Sequence, residues 1–188
     1  MESSILKTII ITGPPGVGKT TLICKVCSSI KDKGHILQGF YTEEVRGEGN
    51  KQRIGFDVVT LAGKRGILAR ENPGDKLRRP KVGKYSVFVQ EFEDLALPLL
   101  AIQDSKLLII DEVGKMELFS KRFELAVSDL LKKTRPLVVS VPEKSNLPLV
   151  EQLKKAPNSK LYTVTKTNRN SLADEITDLI TQSLVVTK

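Results

Sequence analysis

An α/β fold is predicted, with a mainly parallel sheet flanked by helices and antiparallel hairpin strands added to it. Three observations point there. Short apolar runs alternate with segments of helical period, a glycine-rich turn joins the first run to the first helix, and two strand-like runs flank a turn of hairpin composition. Each parallel crossover requires a connecting helix, so the alternation implies a sheet covered on both faces. The 188 residues, 40% hydrophobic and 28% charged, contain no repeat or linker that would divide them, and one domain over residues 1–188 is expected. At this length a folded chain buries about 70% of the surface its unfolded form exposes, so neither a disulfide nor a structural metal is required.

The elements follow in order. Lys7 to Thr12 reads as a buried strand and Lys19 to Lys33 as a helix closed by Gly34. Gln38 to Arg46 and Arg53 to Leu61 are the hairpin strands, joined by Gly47-Glu48-Gly49-Asn50. Gly63 to Lys81 is polar, basic and broken by Gly and Pro, an excursion of loops and short strands. Tyr85 to Val89 is strand-like, and Glu91 to Gln103 is a helix that Pro98 should shorten or kink. Lys106 to Asp111 is a second apolar strand that ends in acid. Arg122 to Lys133 carries a helical apolar stripe, Leu137 to Val141 is a buried strand, and Leu149 to Lys155 a short helix. Leu161 to Thr165 is the last strand and Ser171 to Leu184 the last helix, with an apolar face at Leu172, Ile176, Leu179 and Ile180.

Neither a charged-then-apolar leader nor an apolar run of about 18 residues is present, so the expectation is a soluble, cytoplasmic or otherwise intracellular protein with no membrane partner. The formal net charge of +8 is concentrated. Lys64, Arg65, Arg70, Lys76, Arg78, Arg79, Lys81 and Lys84 face only Glu71 and Asp75 in their stretch. Such a patch attracts polyanions: nucleic acid, an acidic surface, or the phosphates of a small ligand.

Directly after the first strand comes Gly13-Pro14-Pro15-Gly16-Val17-Gly18-Lys19-Thr20, a full match to the P-loop spacing. The glycines let successive backbone N–H groups point at phosphate oxygens, and the helix that begins near Lys19 adds the positive end of its dipole. Lys19 can reach the β- and γ-phosphates, the Thr20 hydroxyl can ligate Mg²⁺, and Thr21 completes the nucleotide-binding run. A plain strand-to-helix turn is the alternative, but the flanking strand and helix are the context that confirms the motif. Such a site needs an acidic residue as well, and Asp111, at the end of a neighbouring strand, supplies it for the metal shell. Glu112 is then the candidate to orient or deprotonate an attacking water. Helix capping is the alternative for both carboxylates.

Five blocks of this sequence resemble one family: Gly-Pro-Pro-Gly-Val-Gly-Lys-Thr-Thr-Leu from Gly13, Gly-Phe-Tyr-Thr-Glu-Glu-Val-Arg from Gly39, Ile-Gly-Phe-Asp-Val-Val-Thr-Leu from Ile54, Asp-Glu-Val-Gly-Lys-Met-Glu-Leu-Phe-Ser from Asp111 and Val-Thr-Lys-Thr-Asn-Arg-Asn from Val164. Together they look like the cancer-related nucleoside-triphosphatase family. The resemblance implies a small P-loop NTPase with a RecA-like or AAA-like sheet, Mg²⁺ dependence and tolerance for several bases.

Asn168 and Arg169 follow the last expected strand, where an α/β protein presents groups to a ligand; Arg169 can stack on a base, and Asn168 can bond its edge or hold the loop. A helix N-terminal turn capped by Asn170 or Ser171 is the competing reading. Lys115 and Glu117 either position the site or form a surface ion pair. Arg46 and Arg65 are candidate cationic stabilisers of the γ-phosphate. Cys24 and Cys27 lack further zinc ligands of comparable quality and read as core-lining thiols on one helix face. The leading function is hydrolysis of nucleoside triphosphates by a monomer. A nucleotide or nucleoside kinase, with the basic excursion as a lid, and a nucleotide-switched nucleic-acid-binding module are the alternatives. The basic tract has only Tyr85 and Phe88 beside it, so nucleic acid is expected to bind weakly at most.

Overall fold

Thr8–Thr12 is Thr-Ile-Ile-Ile-Thr, β-branched throughout, and forms β1, buried over its whole length. The computed structural model describes residues 8–49, 52–101, 107–133 and 135–186. Lys7, Asn50, Gln103 and Lys106, which the expected elements included, lie outside the described residues. After β1 come α1 (Lys19–Asp32), β2 (Leu37–Arg46), β3 (Arg53–Thr60), β4 (Arg65–Arg70), β5 (Lys81–Val82), β6 (Tyr85–Val87) and α2 (Val89–Ala101). Then follow β7 (Leu107–Ile110), α3 (Lys121–Leu130), β8 (Leu137–Ser140), α4 (Pro148–Lys154), β9 (Ser159–Thr163) and α5 (Leu172–Val186).

Among the described residues the strands make one nine-stranded sheet in the order β5-β6-β4-β3-β2-β7-β8-β1-β9. The five strands from β2 to β9 in that order run parallel, and β3, β4, β6 and β5 extend them antiparallel. The sheet is thus mainly parallel only in its site-bearing half. Within the basic excursion, β4 pairs on both sides, with β3 and β6. Pro98 does not end α2; it lies exposed inside the helix, where the carbonyl it leaves without a donor can meet water. The last strand lies two residues earlier than expected, because Tyr162 rather than Leu161 turns inward.

Two apolar layers cover the sheet. α1 and α5 close one face around Ile9, Ile11, Ile23, Val26, Ile109 and Ile176. On the other face α2, α3 and α4 pack over Phe40, Phe92 and Phe123, whose rings lie 5.0 to 6.0 Å apart. That aromatic cluster fixes β2 where it leaves β7, and there the Phe40 carbonyl accepts the Asp111 N–H at 3.1 Å. Core packing therefore sets the position of an acid at the carboxyl edge. No described helix is long and apolar enough to cross a membrane.

Candidate active site

The chain leaves β1 at Gly13 with φ +149°, and a Cβ added there would lie 2.6 Å from the Val164 carbonyl oxygen. Only glycine fits that corner. Its neighbours hold it: the Val164 N–H donates to the Thr12 carbonyl at 2.7 Å, and the Thr12 hydroxyl donates to the Val141 carbonyl at 3.1 Å. Pro14, Pro15 and Gly16 form the exposed crest of the loop, with Val17 buried beneath it. Gly18 precedes α1 without any side-chain cap, so the first N–H groups of α1 are left to a ligand. The Lys19 ammonium bends back over this cradle and donates to the carbonyls of Gly13 at 3.0 Å and Pro14 at 3.3 Å.

Opposite the cradle, Asp111 follows β7 and is fully buried. The Ser140 hydroxyl donates to its Oδ1, while Oδ2 is a buried acceptor with no hydrogen-bond partner. Burial raises the Asp111 carboxyl above the usual range, opposed by Ser140, by the neighbouring Thr20 hydroxyl and by the Lys19 charge. A buried carboxylate oxygen without a partner, beside a threonine hydroxyl, is the donor set a hard divalent cation takes through its oxygen or water shell. Thr20 and Asp111 could hold one.

Glu112 is half-buried at the mouth of a cleft of about 480 Å³. Pro15, Thr42, Phe56, Leu68 and Leu147 are among its walls, so the cleft runs from the loop crest across the antiparallel extension. Burial raises the Glu112 carboxyl, and the Asp111 charge raises it further against the pull of Lys19.

Glu117 and Lys115 do not form the surface ion pair considered above. Glu117 is 5% exposed and accepts the Gly114 N–H at 3.0 Å, in a single 3-10 turn over Glu117–Phe119, whereas Lys115 is exposed. Asn168 also departs from the base-reading role. Its Oδ1 accepts the Thr165 N–H at 2.8 Å and its Nδ2 donates to the Thr163 carbonyl at 2.9 Å, so its amide is committed to the loop. That loop presents Arg169, which lies across Gly18 and donates to the Val17 carbonyl at 3.3 Å. Arg169 lines a hollow of about 270 Å³ with Thr21, Lys25 and Asn170.

The two arginines considered for the γ-phosphate are engaged within the extension: Arg46 pairs with Glu44 at 2.6 Å, and Arg65 with Asp57 at 2.8 Å and with Glu43. Much of the basic tract is answered locally as well. Arg70 pairs with Asp57, Arg79 with Asp75, and Lys84 with Glu71. Tyr85 and Phe88 are buried, with Lys84 and Arg79 packed against their rings. Cys27 is buried, and burial pushes its thiol up to about 12, but Cys24 is exposed and does not line the core. Sequence reasoning missed Ser140 as the Asp111 partner; its one signal is a hydroxyl closing an otherwise apolar strand.

The chain is similar to known nucleoside-triphosphatases over most of its length. A family model described as NTPase matches residues 8–177. The human cancer-related nucleoside-triphosphatase is 45% identical over 187 residues, covering 93% of this chain and 97% of its own. The nucleoside-triphosphatase THEP1 of Thermotoga maritima is 41% identical over 174 residues, covering 92% and 94%. Among solved structures, the crystal structure of THEP1 from Aquifex aeolicus superposes with a TM-score of 0.79 at 38% identity, covering 92% of this chain and 98% of that one. The solution structure of a human cancer-related nucleoside triphosphatase gives 0.78 at 42% identity, covering 94% and 98%. Matched by that family model over residues 8–177 and 45% identical to the human relative over most of both chains, this chain belongs to the NTPase family.

Proposed function

We propose that this protein hydrolyses nucleoside 5′-triphosphates to diphosphates and phosphate, with Mg²⁺ and with broad tolerance for the base. The observation that carries the reading is the convergence of Lys19, Thr20, Asp111 and Glu112 at the carboxyl ends of β1 and β7. The loop N–H groups and Lys19 bind the β- and γ-phosphates. Thr20 and Asp111 would hold Mg²⁺, which would supply positive charge against the triphosphate. Glu112 takes a proton as the water oxygen attacks the γ-phosphorus. The bond from that phosphorus to the bridging oxygen breaks, and Lys19 meets the charge left on the diphosphate. Arg169, a planar cation at the edge of the cradle, supports base tolerance because stacking accepts any π-face. All these groups come from one chain, so the proposed site requires no residue from a second copy.

The cleft beside Glu112 favours a second reading, transfer to an organic hydroxyl instead of water. Phosphate release and nucleotide consumption, measured together with and without Mg²⁺ and with and without nucleosides, DNA or RNA, test both. Stoichiometric release of phosphate from ATP and GTP, dependent on Mg²⁺, is expected. Consumption that outruns phosphate release when a nucleoside is added would replace the hydrolase by a kinase.

A further inference from the structure

Glu117 is a buried carboxyl that the proposed chemistry does not use. Its own backbone N–H and that of Gly114 point at it, and among the described residues no Lys, Arg or His forms an ion pair with it. Glu112 lies beside it. A methyl group built on Gly114 would sit 3.0 Å from Glu112 Oε1 and 3.1 Å from Glu117 Oε2, so the two oxygens lie within two such contact lengths of each other. Gly114 has no need of a left-handed backbone; it is the residue that leaves this space open. Both side chains line the same cleft.

Burial and mutual repulsion oppose the ionisation of both carboxyl groups at once. The proton belongs on Glu117, the more deeply buried of the two, where burial weighs most against a charge. Asp111, after β7, adds negative charge from the same side, while Lys115 and Lys144 line the cleft from exposed positions. Burial and the Glu112 charge push the Glu117 carboxyl up to about 8. We propose that Glu117 is a positioning residue: it holds a proton and directs it at the Glu112 carboxylate, fixing that base for the attacking water. The catalytic half of this inference rests on the hydrolase reading; the protonated state of Glu117 does not.

The test compares E117Q with E117M in the full chain. Gln keeps a donor for Glu112 and an acceptor for the Gly114 N–H, whereas Met keeps volume and has neither. Expected with MgATP at pH 7 are a kcat within about threefold of wild type for E117Q and a fall of about tenfold or more for E117M, with KM unchanged in both. Wild-type kcat should decline toward alkaline pH as Glu117 loses its proton, and E117Q should lack that decline. A second readout uses no nucleotide. A carboxyl raised from 4.5 to about 8 on folding contributes stability that is full below 4.5 and lost as pH rises toward 8. The unfolding midpoint of E117Q should therefore rise relative to wild type across that window. Parallel midpoints show that Glu117 is ionised and overturn the inference whatever the activity. A midpoint shift accompanied by wild-type kcat in E117M overturns the positioning role. Absence of hydrolysis in the wild type, with the shift intact, defeats the hydrolase reading and leaves the buried proton standing.

Discussion

Lys19→Ala removes the ammonium that bends over the phosphate cradle, bonded to the Gly13 and Pro14 carbonyls at 3.0 and 3.3 Å. At an effective dielectric of about 20, two unit charges about 4 Å apart attract by about 4 kcal/mol. Lys19 is half-exposed, and screening reduces that to about 2 to 3 kcal/mol for each phosphate it faces. Two phosphates give about 4 to 6 kcal/mol, a loss of about 10³- to 10⁴-fold in kcat/KM. The fold should survive. The lost hydrogen bonds are partly exposed and net about 1 kcal/mol, a melting shift of roughly 2 to 4 °C for a chain of this size. Phosphate release with Mg²⁺ and ATP, beside thermal unfolding of the same preparation, measures both quantities. Activity near wild type in a folded variant would refute the assignment of the cradle, and collapse of the melting transition would show that Lys19 serves the fold.

The remaining expectations concern the base, the nucleotide edge and the surface. Glu112→Gln should still bind ATP while turnover falls by about 10² or more, because the amide cannot accept a proton; titration calorimetry showing an equal loss of affinity would make Glu112 a binding group. Arg169→Ala should weaken ATP and GTP to the same extent in competition assays. A preference above about a hundredfold for one purine, nearly 3 kcal/mol, would show hydrogen-bond readout of the base. Replacing Lys76, Arg78 and Lys81 by Ser should leave kcat unchanged and raise KM by about twofold, an effect that shrinks in high salt. Submicromolar DNA or RNA affinity at physiological salt, lost in that variant, would promote the nucleic-acid reading.

What was legible in the sequence followed from local rules. The loop at Gly13 could be read because its glycines, lysine and threonine occupy fixed offsets between a strand and a helix. Asp111 could be read because it closes an apolar run. β4 was hard to see, since Arg65 and Arg70 disguise a six-residue strand whose charges are answered by Asp57 and Glu43 on other strands. Ser140 was invisible for the same reason, and Glu117, singled out beside Lys115, could not be told from half of a surface ion pair. Their meaning depends on contacts across the fold, Glu117 with the space beside Glu112 and Ser140 with an acid 29 residues away. Asn168 was open to two readings, a base contact or a hold on the loop, and its amide closes the loop.

Charge ties these observations together. Asp111, Glu112 and Glu117 share one buried region, burial raises all three carboxyls, and Lys19 is the cation that opposes the shift at Asp111 and Glu112. A bare triphosphate approaching that region meets like charge, whereas a divalent cation between Thr20 and Asp111 reverses the local sign. The arginines of the extension cannot do this, because Arg65 and Arg70 are spent on Asp57 and Glu43. Their pairing stiffens the strands that wall the cleft, and the exposed Lys76, Arg78 and Lys81 are left to supply a field without fixed geometry. Metal dependence is thus the expected consequence of setting Asp111 and Glu112 against Lys19, and it should persist in any variant that alters only the basic rim.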